Sequence, residues 1–164
     1  MSIALLFIFF AVIFICAFFI ISGFRGAVWV PAFSKDLILI QQQLRLEAGM
    51  NVYEFGCGDA RFLRQAARRG AISTGYEINP VMALIAKFLS YRANVTINIG
   101  DAWGKSFHSA DVVFAFLMPE YMERLAQKMK KELMPGATVV TYVYPLPGMQ
   151  HYLFEGNAYF YKIP

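Results

Sequence analysis

The sequence is short of the residues that build metal sites and disulfide frameworks. It has only two cysteines, Cys16 and Cys57, and two histidines, His108 and His151. The cysteines lie in an apolar run and in a glycine-rich turn, so neither has an evident disulfide partner. No Cys or His spacing typical of a metal site occurs. These absences argue against a disulfide-stapled secreted domain, and we predict no metal ligand.

Charge is missing from the start of the chain. No charged residue occurs before Arg25, and residues 3–22 are almost wholly Ile, Leu, Phe, Val and Ala. As a helix, a run of about 20 apolar residues matches the thickness of a bilayer. A cleaved signal peptide would need a basic start and a shorter apolar core, and a buried helix of this length would need a larger protein around it. We therefore predict a transmembrane anchor over residues 1–24 that contacts the lipid bilayer through residues 3–22.

The charges that follow this run indicate how the predicted anchor is oriented and where the rest of the chain lies. Arg25 and Lys35 lie on its C-terminal side, which by the positive-inside tendency predicts that the rest of the chain is cytoplasmic. We predict a single-pass membrane protein with a linker over residues 25–33 and one domain over residues 34–164. The net charge of +4 suits an anionic membrane surface. Because the basic residues are scattered, nucleic acid is not a predicted partner.

Strand-like and helix-like segments alternate beyond residue 34. Predicted helices begin near Ser34, Arg61, Pro80 and Pro119 and end near residues 48, 69, 89 and 134. This alternation predicts an α/β fold with a Rossmann-like sheet, mostly parallel, with helices on both faces and an antiparallel C-terminal part. The predicted strands are 52–55, 72–77, 95–99, 111–116, 137–143, 152–154 and 158–161.

Ser34 and Asn79 are the predicted caps of the first and third helices, and Gln41-Gln42-Gln43 is predicted to lie on a solvated face of the first. The third helix is expected to bury an apolar face and the fourth an apolar stripe; their members are Val81, Leu84, Ile85, Phe88 and Leu89, and Met122, Leu125, Met129 and Leu133, respectively.

A strand, a glycine turn and a helix follow one another over residues 52–61, the stretch VYEFGCGDAR. Such a turn lets the backbone approach a nucleotide cofactor closely and points helix N–H groups at it. The dinucleotide fingerprint G-x-G-x-x-G fails because Arg61 occupies the last glycine position. Glu54 at the strand end would repel a pyrophosphate but suits a cofactor with an ammonium and a sulfonium, namely S-adenosyl-L-methionine (SAM). A tight turn with no ligand is the alternative interpretation.

Acidic residues end three successive predicted strands. Glu54 ends the first and Glu77 the second, where its carboxylate can accept hydrogen bonds from two ribose hydroxyls. Asp101 follows the third strand and can accept from an adenine amino group, with Ala102 and Trp103 beside the ring. In a parallel sheet, ligands bind beyond the carboxyl ends of the strands, so the three acids are expected to converge on one site.

The motifs around these acids resemble the class I SAM-dependent methyltransferases. More narrowly, they are similar to the membrane-anchored protein-lysine methyltransferases of mitochondria and their bacterial relatives, whose targets include the ADP/ATP translocase and the c subunit of ATP synthase. The residues that carry the narrow resemblance are Val30-Pro31, residues 53–61 (YEFGCGDAR), residues 75–80 (GYEINP), Asp101-Ala102-Trp103, residues 133–137 (LMPGA) and residues 142–147 (YVYPLP). The resemblance implies SAM as cofactor and a lysine of a membrane protein as acceptor. The predicted cofactor-binding residues are Glu54, Phe55, Gly56, Cys57, Gly58, Glu77, Ile78, Asp101, Ala102 and Trp103.

The acceptor pocket has no specific signature. The Asn/Asp-Pro-Pro-aromatic motif of amino-group methylation on adenine or glutamine is absent after the fourth strand. Glu120 and Tyr121 follow that strand and are the candidate catalytic residues for proton removal from a lysine, although a helix N-terminal acid such as Glu120 also suits the helix dipole. Two alternatives stay open: methylation of a small or lipid molecule, and a SAM-binding membrane protein without catalytic activity.

Overall fold

The structure is a computed structural model that describes residues 2–10, 12–13 and 30–164. The chain divides into two compact units, Met1–Val30 and Pro31–Pro164. In the first unit, residues 3–10 and 12–13 are helical. Among the described residues, no helix has the length and apolarity needed to cross a membrane. The predicted anchor over residues 1–24 and the linker over residues 25–33 lie partly outside the described residues.

The second unit is built on one seven-stranded sheet in the order β3-β2-β1-β4-β5-β7-β6. The pairs β3–β2, β2–β1, β1–β4 and β4–β5 are parallel, while β7 runs antiparallel to both β5 and β6. The predicted sheet, mostly parallel with an antiparallel C-terminal part, is confirmed. The strands are β1 Asn51–Phe55, β2 Ile72–Glu77, β3 Val95–Ile99, β4 Val112–Ala115, β5 Thr138–Tyr142, β6 Leu153–Glu155 and β7 Ala158–Lys162.

Helices cover both faces of this sheet unequally. The helices α1 (Ser34–Gln43), α2 (Arg61–Ala67) and α3 (Pro80–Leu89) contribute to one apolar core cluster, and α4 (Met122–Glu132) contributes to the other. The β3–β4 connection holds a single 3₁₀ turn, Ala102–Gly104, where a longer crossover helix is usual. A second 3₁₀ turn, Pro119–Tyr121, leads into α4.

The central strands alternate between the two core clusters. In β4, Val112 and Phe114 pack in the cluster under α1–α3, whereas Val113 and Ala115 pack in the cluster under α4. All four residues are buried, as their continuous apolar run predicts for a strand covered on both faces. The predicted apolar stripe of α4 is also confirmed, because its members are buried: Met122, Leu125, Met129 and Leu133.

Three predictions for α1 are wrong. The helix ends at Gln43 instead of residue 48, because Arg45 adopts a left-handed conformation with φ 47°. Ser34 is the first helical residue, and Phe33 occupies the N-cap position without a side-chain hydrogen bond. Gln41, predicted to lie on a solvated face, is buried, and its Nε2 donates to the carbonyl of Phe62 at 3.2 Å. This bond fixes α1 against α2.

The predicted core face of α3 is also wrong. The small side chains Ala83 and Ala86, with Met82, face the core. The large apolar side chains expected to be buried there are instead exposed: Leu84, Ile85, Phe88 and Leu89. Because α3 is apolar on nearly all sides, periodicity alone does not indicate which side meets the sheet.

The carboxyl end of β5 is held by a buried acid from α1. The Asp36 carboxylate accepts from the Tyr142 hydroxyl at 2.6 Å and from Nδ2 of Asn157 at 2.8 Å. The bonds from Tyr142 and Asn157 lower the pKa of Asp36, and burial followed by the bond to Asp36 raises the pKa of Tyr142 to about 12. The next residue, Val143, has φ 70° while its N–H donates to the carbonyl of Asn157 at 2.7 Å. A β-branched residue rarely adopts this conformation, so the backbone is strained here.

Candidate active site

The turn after β1 is sharp and is pinned to the next strand. Gly56, Gly58 and Ala60 all have positive φ, of 75°, 52° and 58°. The N–H groups of Gly56 and Cys57 both donate to the carbonyl of Tyr76, at 3.0 and 2.9 Å. The turn therefore crosses directly over the end of β2 before α2 begins. It lies beside the boundary between β1 and β4, where ligands bind in sheets of this kind.

The turn packs on Gly75 of β2 without room for a side chain. A Cβ added there would lie 2.7 Å from the sulfur of Cys57 and 2.7 Å from Cδ1 of Leu63. Cys57 is itself buried, and burial raises the pKa of its thiol. The Cys57 side chain therefore packs in the core, so Cys57 can contact a ligand only through its backbone.

A Gly75→Ala variant is expected to be less stable than the parent by about 1–3 kcal/mol, because the added methyl group overpacks this contact. Thermal or urea unfolding measures the difference. Gly104→Ala is the matched control, since a Cβ at Gly104 meets nothing within 4 Å. Equal stability of the two variants would contradict the proposed close packing of the turn.

Glu77 connects the turn to the start of α3. Its Oε2 accepts from the N–H of Gly58 at 2.8 Å, and its Oε1 accepts from the N–H of Asn79 at 2.8 Å. The Asn79 side chain in turn caps α3, accepting from the N–H groups of Val81 and Met82, as the sequence predicts. Each carboxylate oxygen can accept more than one hydrogen bond, so Glu77 keeps capacity for a ligand.

Glu54 is a buried carboxyl group beside Glu77. It is 6% exposed, and its Oε2 has no hydrogen-bond partner among the described residues. Burial, followed by the negative charges of Asp59 and Glu77, raises the pKa of Glu54 well above its usual value. A buried acid in this state is costly to ionise unless a cation approaches it.

Asp101 and Trp103 form the other side of the site, beyond β3. The Asp101 carboxylate accepts from the N–H of Trp103 at 2.9 Å. The Trp103 ring meets Phe55 edge to face, with ring centroids 4.5 Å apart. The carboxyl ends of β1 and β3 are thus linked through aromatic side chains.

The sequence profile of the ANTKMT methyltransferase domain matches residues 54–152, which include the turn and all three acids. The chain belongs to the ANTKMT methyltransferase domain family. The resemblance inferred from the motifs is confirmed by this match.

Two similar proteins support this family assignment. The chain is 33% identical over 123 residues to the mouse lysine N-methyltransferase of the ATP synthase c-subunit, covering 73% of this chain and 49% of that protein. It is 33% identical over 127 residues to a protein-lysine N-methyltransferase of Saccharolobus islandicus, covering 73% of this chain and 78% of that protein. The chain thus spans about half the length of the mouse enzyme.

A solved structure has a fold similar to that of this chain. It is an RNA methyltransferase from Salinibacter ruber in complex with S-adenosyl-L-homocysteine, with TM-score 0.77 and 24% identity, covering 82% of this chain and 94% of that chain. The Rossmann-like methyltransferase fold predicted from the sequence is confirmed by this similarity and by the strand order.

The two candidate catalytic residues, Glu120 and Tyr121, lie after β4. Tyr121 is half-buried in the 3₁₀ turn, with its ring centroid 6.3 Å from that of Trp103. Glu120 is exposed, and no described residue forms a hydrogen bond with its carboxylate. The structure therefore brings Tyr121 to the aromatic side of the site but leaves Glu120 at the surface. Their catalytic roles stay predictions.

Sequence reasoning missed Arg124 in the first turns of α4. Its guanidinium carbon lies 4.1 Å from the centre of the Trp103 ring, a distance at which cation–π attraction is favourable. Arg124 thus fixes one face of the ring while Phe55 meets it from another direction. The spacing of Arg124 three residues beyond Tyr121 places both on one side of the helix start, but nothing local in the sequence indicates contact with residue 103.

Proposed function

We propose that this chain is a SAM-dependent methyltransferase that transfers a methyl group to a lysine of a membrane-associated protein. The observation that carries the proposal is the unpartnered oxygen of the buried Glu54 carboxyl group, next to Glu77 and the glycine turn at the carboxyl edge of a methyltransferase-type sheet. A cationic cofactor would supply the partner that this oxygen lacks. Membership of the ANTKMT methyltransferase domain family supports the same activity.

The residues of the site fit SAM. Glu54 suits the ammonium or the sulfonium, Glu77 the ribose hydroxyls, and Asp101 with Trp103 the adenine. The backbone of Gly56 to Gly58, with Phe55, Ala102 and Ile78, would complete the binding surface. A nicotinamide dinucleotide fits poorly, because Glu54 would repel its pyrophosphate. Arg61, at the third glycine position of that fingerprint, is already paired with Asp59 at 2.9 Å.

The mechanism rests on positioning. SAM, when bound, supplies a methyl group on a positively charged sulfur, and the reaction with an amine is an in-line displacement that depends on alignment. Glu54, Glu77 and Asp101 would hold the cofactor, and Phe55, Trp103 and Tyr121 would exclude water from it. A lysine acceptor must first lose a proton. Apolar surroundings lower its pKa, and Glu120 and Tyr121 are the proposed groups to receive or relay that proton.

The proposed acceptor is supported by relatives and by composition. One relative is named for the c-subunit of ATP synthase and another for protein lysine in general. The apolar residues 3–22 are proposed to anchor the chain in a bilayer, with the domain on the cytoplasmic side. Anchoring would keep the domain within reach of membrane-protein lysines, because a linker over residues 25–33 spans only about 30 Å when fully extended.

The proposal is tested by incubating the full chain with membranes and SAM labelled in its methyl group. We expect label in protein, with methyl-lysine found by mass spectrometry. Label in the lipid extract instead would favour methylation of a lipid. Binding of S-adenosylhomocysteine without any labelled product would favour a protein without catalytic activity.

A chain without residues 1–24 is the control for the anchor. It is expected to bind S-adenosylhomocysteine like the full chain but to label membrane proteins far less. Undiminished labelling would reject the role of the anchor while leaving the proposed chemistry intact.

A further inference from the structure

An apolar surface is exposed on the outer side of α3. Phe88 is 82% exposed and Leu84 59% exposed, and Tyr91, just beyond the helix, is 85% exposed. We call this surface the α3 face; its members are Leu84, Ile85, Phe88, Leu89 and Tyr91. The buried side of the same helix is made of smaller residues, Ala83 and Ala86. Contiguous large apolar side chains at a surface usually mark an interaction site.

The other face of the domain shows what an ordinary surface helix of this chain looks like. The outward residues of α4 are polar or charged, and two of them are joined by a hydrogen bond, from Nε2 of Gln127 to the carboxylate of Glu123 at 3.1 Å. The hydrophobic residues of α4 are buried. The α3 face is therefore a property of one side of the domain and not of the composition as a whole.

The segment that carries the α3 face has positive charge only. Lys87 and Arg92 are exposed beside it, and no acidic residue occurs from residue 78 to residue 100. Helix α2 packs in the same core cluster as α3, so both helices lie on one side of the sheet. Beside α2 lies a cavity of about 270 Å³ lined mainly by polar and basic residues: Ser34, Asp59, Arg61, Arg64, Gln65 and Arg68.

We propose that the α3 face docks on a lipid bilayer that carries anionic headgroups. An exposed apolar helix face flanked by basic residues is the arrangement by which interfacial helices insert into the headgroup boundary. Lys87, Arg92 and Arg68, which is exposed just beyond α2, would meet the lipid phosphates, and Phe88 and Leu84 the acyl boundary. This contact orients the domain on the membrane, and it stands independently of the proposed methyl transfer.

The charge pattern favours lipid over a second protein copy. A symmetric dimer through the α3 face would bring Lys87 and Arg92 of each copy towards those of the other, and residues 78–100 contain no acidic residue that could compensate them. An anionic bilayer compensates both cations, since basic residues near such a surface are attracted by its negative potential.

The experiment places a fluorescent label at residue 88 of the full chain. A Phe88→Cys variant in a Cys16→Ser background is labelled and reconstituted in vesicles of phosphatidylcholine and phosphatidylglycerol; the remaining Cys57 is buried. Gln127→Cys, on the exposed side of α4, is the matched control. Quenching by nitroxide-bearing lipid and by aqueous iodide is then measured at both positions.

We expect the label at residue 88 to be quenched by the lipid nitroxide and shielded from iodide, with the reverse at residue 127. Adding Lys87→Gln and Arg92→Gln is expected to reduce the ratio of docked to undocked protein by on the order of tenfold or more. Equal quenching patterns at residues 88 and 127 would overturn the proposal. Shielding of residue 88 from iodide without quenching by the lipid nitroxide would also overturn it, because a protein segment or a second copy would then cover the face.

Discussion

A Glu77→Ala variant is expected to bind S-adenosylhomocysteine about a hundredfold more weakly than the parent, or not measurably. The change removes the acceptor for two backbone N–H groups, those of Gly58 and Asn79, and the proposed acceptor for the ribose hydroxyls. A buried donor left without its partner costs about 1–3 kcal/mol. The turn after β1 would lose its tie to α3 at the point where it must face the cofactor.

Calorimetric titration of the detergent-purified full chain measures this loss. Glu47→Ala is the control, because Glu47 is exposed and precedes the amino end of β1, whereas the predicted cofactor contacts lie at the carboxyl ends of the strands. Circular dichroism establishes that each variant is folded. Glu77→Gln is expected to fall between the parent and Glu77→Ala, since its amide keeps one oxygen for one of the two donors. A folded Glu77→Ala variant with parental affinity would remove Glu77 from the site, and a folded parent without affinity would remove the proposed cofactor.

A Glu54→Gln variant is expected to be more stable than the parent at neutral pH and yet to bind SAM about 10- to 100-fold more weakly. The weaker binding reflects the loss of a hydrogen bond to a charged group, worth about 1.5–3 kcal/mol. The added stability follows from the raised pKa of Glu54, which burial and the charges of Asp59 and Glu77 produce. An uncharged amide of the same shape avoids the cost of ionising a buried acid.

The pH dependence of this effect has a defined sign. In the unfolded chain Glu54 loses its proton near its ordinary pKa, whereas the folded chain holds the proton to higher pH. The free energy of unfolding of the parent therefore falls as the pH rises above the ordinary pKa of a glutamate, until the folded pKa is passed. Glu54→Gln lacks this contribution, so its advantage grows with pH.

Urea unfolding at several pH values, with SAM titrations at the same values, measures both effects. Because a cation beside Glu54 lowers its pKa, binding releases a proton, and affinity in the parent is expected to rise with pH over the same window. A Glu54→Gln variant with unchanged affinity would show that Glu54 serves only the packing of the turn. A variant less stable than the parent at every pH would show that Glu54 is ionised and paired in the folded chain.

Much of the sheet follows from the sequence because each central strand has a single interpretation. The run from Val112 to Ala115 is apolar throughout and can only be a strand covered on both faces. The stripe of α4 is equally plain, since Met122, Leu125 and Met129 recur at helical spacing among charged neighbours. Local pattern is decisive for a short apolar run of strand length and for a helix with one apolar side.

The pattern is not decisive where a helix has apolar residues on every side or ends because of its backbone conformation. In α3 the sheet leaves room for Ala83 and Ala86 but not for Leu84 and Phe88, and only the packing distance decides between them. The end of α1 is set by the left-handed Arg45, which nothing in its side chain predicts. Both wrong predictions concern tertiary packing or backbone conformation, which the composition of the segment does not determine.

The site shows the same division. The turn and the acids were predictable because Glu54, Gly56 and Gly58 are adjacent in sequence and their chemistry is specific. The second use of Glu77, as the acceptor that ties the turn to α3, depends on the pairing of β1 with β2. The contact of Arg124 with Trp103 depends on the approach of α4 to the end of β3. Such long-range contacts cannot be inferred from spacing along the chain.

Relief of the strained backbone at Val143 would raise the thermal stability of the domain. Glycine at this position would adopt the left-handed conformation freely, and asparagine would tolerate it, so either exchange recovers on the order of 1 kcal/mol of strain. A selection for thermal stability alone would therefore favour a single substitution at this position. Because Val143 follows β5 at the carboxyl edge of the sheet, a gain in durability at this residue would come at the edge where an acceptor is expected to arrive.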